Sequence, residues 1–299
     1  MKLKSVSNPM EDEALESAVV AVRKVREGAK GEDPEPGNVR STNLLAVGKG
    51  EPVTRPAPPA GVSALESVIG SDDRTRILDT DASPWRMICA LRIKAPAGQF
   101  IGTAWFAGPK TLITAGHCVY DAIQMDGWPK QIEVVPGRDG NEMPFGKIKA
   151  KRYSTVDRWT EARDPDFDIG AIHLDKPIGK NVGWFAVGSL PPDELIDYHV
   201  NISGYPLMPG QGRQQWFHEN RILKVTDRRI FYDVDTYGGQ SGAPVWIHES
   251  KGSPPLVVGI HAYGVGGTPT AFQIAANSAP RIIPEVFDQI AAWVEADGE

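Results

Sequence analysis

At 299 residues and 41% hydrophobic content, the chain is long enough to bury one large core or two smaller ones. A net charge of −6 gives no basic footprint for phosphate backbones, and no stretch approaches the roughly eighteen apolar residues of a membrane span. Two cysteines, Cys89 and Cys118, are too few for a zinc cluster or a disulfide-dense scaffold, so no nucleic acid, membrane, metal or cofactor is expected.

In chain order, residues 1–66 come first. They hold seven prolines and no aromatic residue, whereas all 24 aromatics lie from Trp85 onward. This part cannot build a comparable core and reads as a largely non-core, removable pro-segment. Within it, "EDEALESAVVAVRKVRE" has the spacing of one amphipathic helix, with acids early and bases late as the helix dipole favours. No secretory signal is visible at its start. From Pro84 to Pro280 the chain reads as β: "WRMICALRI", "FIGTAWFAG", "TLITAGH", "IEVVPG", "DIGAIHL", "HVNISGYP", "RIFYDV", "APVWI" and "LVVGIHAYG" are short runs rich in β-branched and aromatic residues, punctuated by Gly, Pro and Asp. Only "RIIPEVFDQIAAWVEA" has helical spacing, with Val286, Ile290 and Val294 four apart and Phe287 beside them on the apolar side. Many strands and one terminal helix predict paired barrels or a sandwich.

Three residues carry the chemistry. His117 closes "TLITAGH", Asp168 opens "DIGAIHL", and Ser241 lies in "DTYGGQSGAPV". An alcohol is a weak nucleophile unless a base lies within hydrogen-bond reach and a buried carboxylate orients that base. The glycines before Ser241 let the backbone turn its N–H groups inward, so those of Gly239 and Ser241 are candidates for an oxyanion hole. Taken singly, each motif has a plainer reading as a packed histidine, a loop charge or a turn. Asp164 and Asp166 read as solvated loop charges beside Asp168. An α/β-hydrolase is ruled out, because its elbow needs Gly-x-Ser-x-Gly and position 243 is Ala.

At these residues the sequence resembles the glutamyl endopeptidases, a glutamate-specific branch of the chymotrypsin-like serine proteases. The resemblance runs from "SVIGSDDRTR" through "GPKTLITAGHCVYD", "VVPGRDG", "FDIGAIHL", "KPIG", "ISGYP" and "DTYGGQSGAPV" to "VVGIH". It implies an all-β fold of two six-stranded antiparallel barrels with a C-terminal helix and the active site between them. One barrel, within 67–180, would carry His117 and Asp168; the other, within 181–299, would carry Ser241, with the border near Pro177 to Val182. It further implies a secreted, monomeric enzyme acting on polypeptides, with Thr236, His261 and the α-amino group of Ser67 binding the substrate glutamate.

Two alternatives stay open at this point. Asp235 lies six residues before Ser241, where trypsin-like enzymes keep the aspartate that attracts Lys or Arg. A double barrel can also serve as a non-catalytic binding module. The cysteines depart from the resemblance: the residue beside Gly102 that would pair with Cys118 is Ile101, which leaves either a Cys89–Cys118 disulfide or two buried thiols. Finally, the aromatic-free segment ends in "SALE", which makes the Glu66–Ser67 bond the expected processing site and places it after a glutamate.

Overall fold

The computed structural model describes residues 2–9, 67–196 and 198–298; the helix expected in "EDEALESAVVAVRKVRE" and Glu66 lie outside them. Two antiparallel sheets dominate. The first is built from Ile88–Ala95, Gly98–Phe106, Thr111–Thr114, Gln131–Pro136, Ile148–Ala150, Arg152–Val156 and Gly170–His173. Ile148–Ala150 pairs with Gln131–Pro136, and Arg152–Val156 pairs with Gly170–His173. Those two ranges flank Lys151, so one bent strand links both ends of the sheet and curls it into a barrel of six.

The second sheet joins His199–Gly204, Trp216–Val225, Arg229–Tyr232, Pro244–Ile247, Leu256–Ile260 and Asn277–Pro280. Its ends meet through the bridges Gly259 to Arg281 and Tyr263 to Ser278. The short strand Ala186–Val187 adds in parallel to Leu256 and Val257. Between the barrels the chain passes through a helical turn at Gly179–Val182.

Alternation along these strands explains the burial. Ile88, Ala90, Trp105 and Ile113 face a cluster shared with Phe185, Trp246 and Ile260 of the second barrel, while Cys89, Leu91, Ala104 and Leu112 fill the first. Trp85, Phe217 and Trp246 interlock with ring centroids 5.2 to 6.1 Å apart. The terminal helix Pro284–Asp297 buries Val286, Ile290 and Trp293. Phe287 is 38% exposed, so Trp293 completes the apolar stripe that sequence spacing had given to Phe287.

Three features differ from expectation, and one open alternative is decided. Residues 2–9 are not outside the core: Ser5–Ser7 is a strand on the edge of Arg152–Val156, and Leu3 packs against the shared cluster. Residues 67–76 precede the first barrel in sequence but dock on the second, where Thr75 and Arg76 pair with Phe217 and Trp216. His117 lies past the end of its strand, in a helical turn at Gly116–Val119. Of the two states left open for the cysteines, the structure has two buried free thiols. The reason is register: a side chain at Gly102 would meet the Cys118 sulfur at 3.0 Å, and Gly102 pairs with Leu91, two residues along from Cys89. Two residues of strand, about 7 Å, is far more than an S–S bond spans.

Candidate active site

Asp168 caps a turn, Pro165–Phe167, which starts when the Asp164 carboxylate accepts the Asp166 N–H at 3.1 Å. Asp164 also pairs with Arg158 at 2.6 Å, so it shapes the loop rather than merely solvating it. Thr155 donates to the Ile169 carbonyl at 2.6 Å, fixing the chain just after Asp168. The Asp168 side chain is fully buried. One of its oxygens accepts the His117 backbone N–H and the other meets His117 Nδ1, both at 2.8 Å. A Cβ at Gly116 would lie 3.0 Å from that carboxylate and 2.9 Å from Trp159, so the approach depends on glycine there. Tyr263 faces the same carboxylate; burial first, and then Asp168, pushes its hydroxyl above the ordinary tyrosine range.

For His117, burial alone would lower the pKa, but the Asp168 carboxylate, with a further contribution from Cys118, raises it well above the ordinary 6.5. Its side chain is 17% exposed, so the imidazole keeps an open edge while its carboxylate partner has none.

Ser241, from the second barrel, is held beside the residue that follows His117. Its carbonyl accepts the Thr103 N–H at 2.9 Å and lies 3.7 Å from the sulfur of Cys118, the residue next to His117. The Thr103 hydroxyl also donates to the Gly239 carbonyl at 2.9 Å and accepts the Tyr205 N–H at 3.0 Å. One threonine of the first barrel thus grips the turn on both sides of Gln240. Gly239 and Gly242 have φ of +105° and +87°. A Cβ at Gly242 would collide with the Thr103 carbonyl and the Thr114 hydroxyl, and one at Gly239 would lie 2.7 Å from the Tyr205 carbonyl.

Neither Thr103 nor Arg74 stands out in sequence, yet both hold the turn. Arg74, 6% exposed, donates to Gln240 Oε1 at 3.1 Å, to the Met208 carbonyl at 3.0 Å and to Asp72 at 2.7 Å. Gln240 Oε1 also accepts the Tyr237 N–H at 3.0 Å. Burial would raise the Asp72 carboxyl, but Arg74 holds it below its usual range. The only sequence signal was the position of "DDRTR" within the segment that resembles a mature N-terminus.

The residues expected at the specificity site form one connected group. Thr236 donates its N–H to the Ser67 carbonyl at 3.2 Å, and Asn277 Nδ2 donates to that carbonyl at 2.6 Å. Asn277 pairs across the sheet with Tyr232, whose hydroxyl meets His261 Nδ1 at 2.6 Å. His261 is fully buried; burial, with a further contribution from His117, brings its pKa down to about 3. The Thr236 hydroxyl is buried and has no hydrogen-bond partner among the described residues. Asp235 is turned elsewhere: its two oxygens accept the Ile69 and Asp73 N–H groups at 2.7 and 2.9 Å. Its carboxylate pins residues 69–73 and is not a floor for a cationic side chain.

Comparison with known proteins bears on the family and the fold. The trypsin family profile matches residues 78–282. A glutamyl endopeptidase of Bacillus licheniformis is 38% identical over 246 residues, covering 81% of this chain and 74% of its own. A Bacillus subtilis protein named extracellular metalloprotease is 32% identical over 229 residues, covering 76% and 69%. Among the described residues, no three of His, Cys, Asp and Glu are grouped so as to hold a metal ion. A solved Glu endopeptidase structure in complex with MPD superposes with a TM-score of 0.66, at 23% identity, over 76% of this chain and 99% of that one. The chain therefore belongs to the trypsin family and, within it, to the glutamyl endopeptidases.

Proposed function

We infer that the protein is a serine endopeptidase that cleaves polypeptides after glutamate, and less readily after aspartate. Ser241 attacks the scissile carbonyl, His117 takes its proton and returns it to the leaving amine, and Asp168 fixes the imidazole tautomer and stabilises its charged form. The N–H groups of Gly239 and Ser241 receive the developing oxyanion, each contributing about 10²–10³ in rate. Hydrolysis of the acyl-enzyme repeats the same proton transfers with water. The contact between His117 and the fully buried Asp168 is the observation that carries this reading.

Glutamate specificity draws on the Tyr232, His261 and Thr236 group. Burial keeps His261 neutral, so a Tyr232 hydroxyl that donates to Nδ1 leaves the proton on Nε2 as a donor to a substrate carboxylate. The Thr236 hydroxyl is a second donor. The trypsin-like alternative loses its basis, because both Asp235 oxygens are committed to backbone amides. Initial rates on matched peptides differing only in Glu, Asp or Arg before the scissile bond test the assignment. The Glu peptide should be cleaved fastest; faster cleavage after Arg overturns it.

Activation follows from the same preference. The Glu66–Ser67 bond ends in the residue that the enzyme selects, and Ser67 is seated before any cut, between Asn277, Thr236 and Val265. Cleavage would then change a neutral amide into a cationic amine at a position already built. Wild type should accumulate a chain starting at Ser67 while Ser241→Ala stays full length; equal conversion of both sinks self-processing. The enzyme is proposed to act as a monomer and outside the cell, the latter in keeping with the name of the B. subtilis relative, extracellular metalloprotease.

A further inference from the structure

The bend at Lys151 leaves one edge of the first barrel open. Ile148–Ala150 follows Gln131–Pro136, but beyond the bend Arg152–Val156 has only Gly170–His173 beside it within the barrel. Unpaired strand edges are sites for added strands. Here the edge is filled by the first residues of the chain itself: Ser5, Val6 and Ser7 pair antiparallel with Val156, Thr155 and Ser154.

The attachment is specific along its whole length. The Lys4 carbonyl accepts the Asp157 N–H at 2.9 Å, the Asn8 N–H donates to the Tyr153 carbonyl at 3.1 Å, and the Asn8 side chain closes the end with bonds to Tyr153 N and the Lys151 carbonyl, both 2.8 Å. Trp293 of the terminal helix donates its indole N–H to Ser5 Oγ at 2.9 Å. Leu3 packs on the cluster that contains Val156, Trp159 and Trp293. Beneath Ser7 runs a chain of polar contacts: Ser7 Oγ to Ser154 Oγ at 2.8 Å, Ser154 Oγ to His173 Nε2 at 2.9 Å, and His173 Nδ1 to Asp297 at 2.8 Å. Asp297 also accepts the Thr111 hydroxyl at 2.6 Å. The strand is therefore keyed to the barrel by backbone pairing, by an apolar anchor and by a polar relay.

We propose that residues 3–8 are a docking strand for the first barrel, held by their own contacts and not by their covalent link to residue 67. The consequence, that a processed enzyme is a non-covalent pair of chains, rests on the processing reading above; the docking does not. Each of the contacts named above lies between described residues other than 10–66, so a cut within that stretch removes none of these partners.

The test uses the full chain carrying Ser241→Ala, so that its own activity plays no part, with the recognition sequence of an added, sequence-specific protease inserted between Gly37 and Asn38. After complete cutting, the N-terminal fragment should co-elute one to one with the remainder in native size exclusion and separate from it in denaturant, as read by intact mass. A fragment that elutes alone at low mass overturns the proposal. By the alternation of antiparallel hydrogen bonds between Lys4 and Asn8, the Val6 N–H faces the barrel. Val6→Pro should weaken retention about tenfold or more, and Lys2→Ala should not change it. Leu3→Asp gives an independent loss should the proline variant fold poorly. Retention of both variants as firm as the parent also overturns the proposal.

Discussion

The molecule contains two arrays of serine, histidine and aspartate, and their histidine–aspartate contacts have the same length. In the cleft, His117 Nδ1 lies 2.8 Å from Asp168, and the Ser241 carbonyl of the second barrel lies 3.7 Å from the sulfur of Cys118, the residue next to His117. Within the first barrel, His173 Nδ1 lies 2.8 Å from Asp297 and its Nε2 lies 2.9 Å from Ser154. What separates them is the backbone around the serine. Ser241 lies between glycines with positive φ, in a turn that can present N–H groups to an anion, whereas Ser154 lies in the middle of a strand, 3% exposed, with its hydroxyl already in contact with Ser7. A hydrogen-bonded serine becomes a nucleophile only where a substrate carbonyl can approach it and the resulting charge can be received.

The largest effect should separate the arrays outright. Ser241→Ala should lower kcat by about 10⁶ and abolish labelling by a serine-directed fluorophosphate, and Asp168→Asn should cost about 10⁴ through the wrong imidazole tautomer. Ser154→Ala should leave kcat/KM within about twofold and the labelling intact. Label on Ser154 in the native protein would erase the distinction.

Next in size is the backbone that makes Ser241 different. Gly242→Ala places a methyl group against the Thr103 carbonyl and the Thr114 hydroxyl, in a backbone conformation that side chains rarely adopt. A loss of about 3 kcal/mol in denaturant unfolding is expected, together with loss of activity as the turn withdraws from Thr103. A variant with native stability and rate would show that the turn does not need its glycine.

Much of this site was legible in sequence because it rests on residue types with few alternatives. His117, Asp168 and Ser241 fall in short motifs whose order and spacing single them out as candidates; His117 and Asp168 are in contact, and Asp168 precedes an apolar strand and is buried as expected. The Asp235 carboxylate illustrates the opposite case. Its sequence position suits a cation pocket, but the direction of its side chain is set by the amides of Ile69 and Asp73, which are more than 160 residues away. Arg74, Thr103 and the strand at Ser5–Ser7 were hidden for the same reason: each acts through partners distant in sequence, and nothing in its own neighbourhood marks it. The fold followed periodicity well except where two short strands meet at a bend, in "IKAKRYSTV", and where the polar run "WFHENRILKV" forms a strand by pairing on both sides.

Titration should sharpen the contrast within the cleft. In the proposed mechanism only neutral His117 accepts the serine proton, and its pKa is raised, so kcat/KM should fall as pH drops through a value above the ordinary 6.5. The associated stability has the opposite sense: it is fully present below the unfolded-state value and is lost as pH rises through the folded one. His261, with its pKa near 3, stays neutral across this range and should add no second acid limb. A pH profile of kcat/KM with one limb above 6.5 is expected; a rate that stays flat down to pH of about 4 would remove His117 from the base role.

The smallest effect belongs to the buried array, and it tests what that array does instead of catalysis. Ser154→Ala removes the hydroxyl between Ser7 and His173. Ser7 can turn to water, since it is exposed, but His173 Nε2 is left facing the barrel interior at 8% residue exposure. One buried partner lost costs about 1–2 kcal/mol. Chemical denaturation of the full chain should therefore show that decrease with no change in the pH profile of hydrolysis, because the array and the cleft share no group. An unchanged midpoint would mean that the relay adds nothing to the barrel edge. A shifted pH profile would mean that the two arrays are coupled through the strand Gly170–His173, which begins two residues after Asp168 and ends at His173.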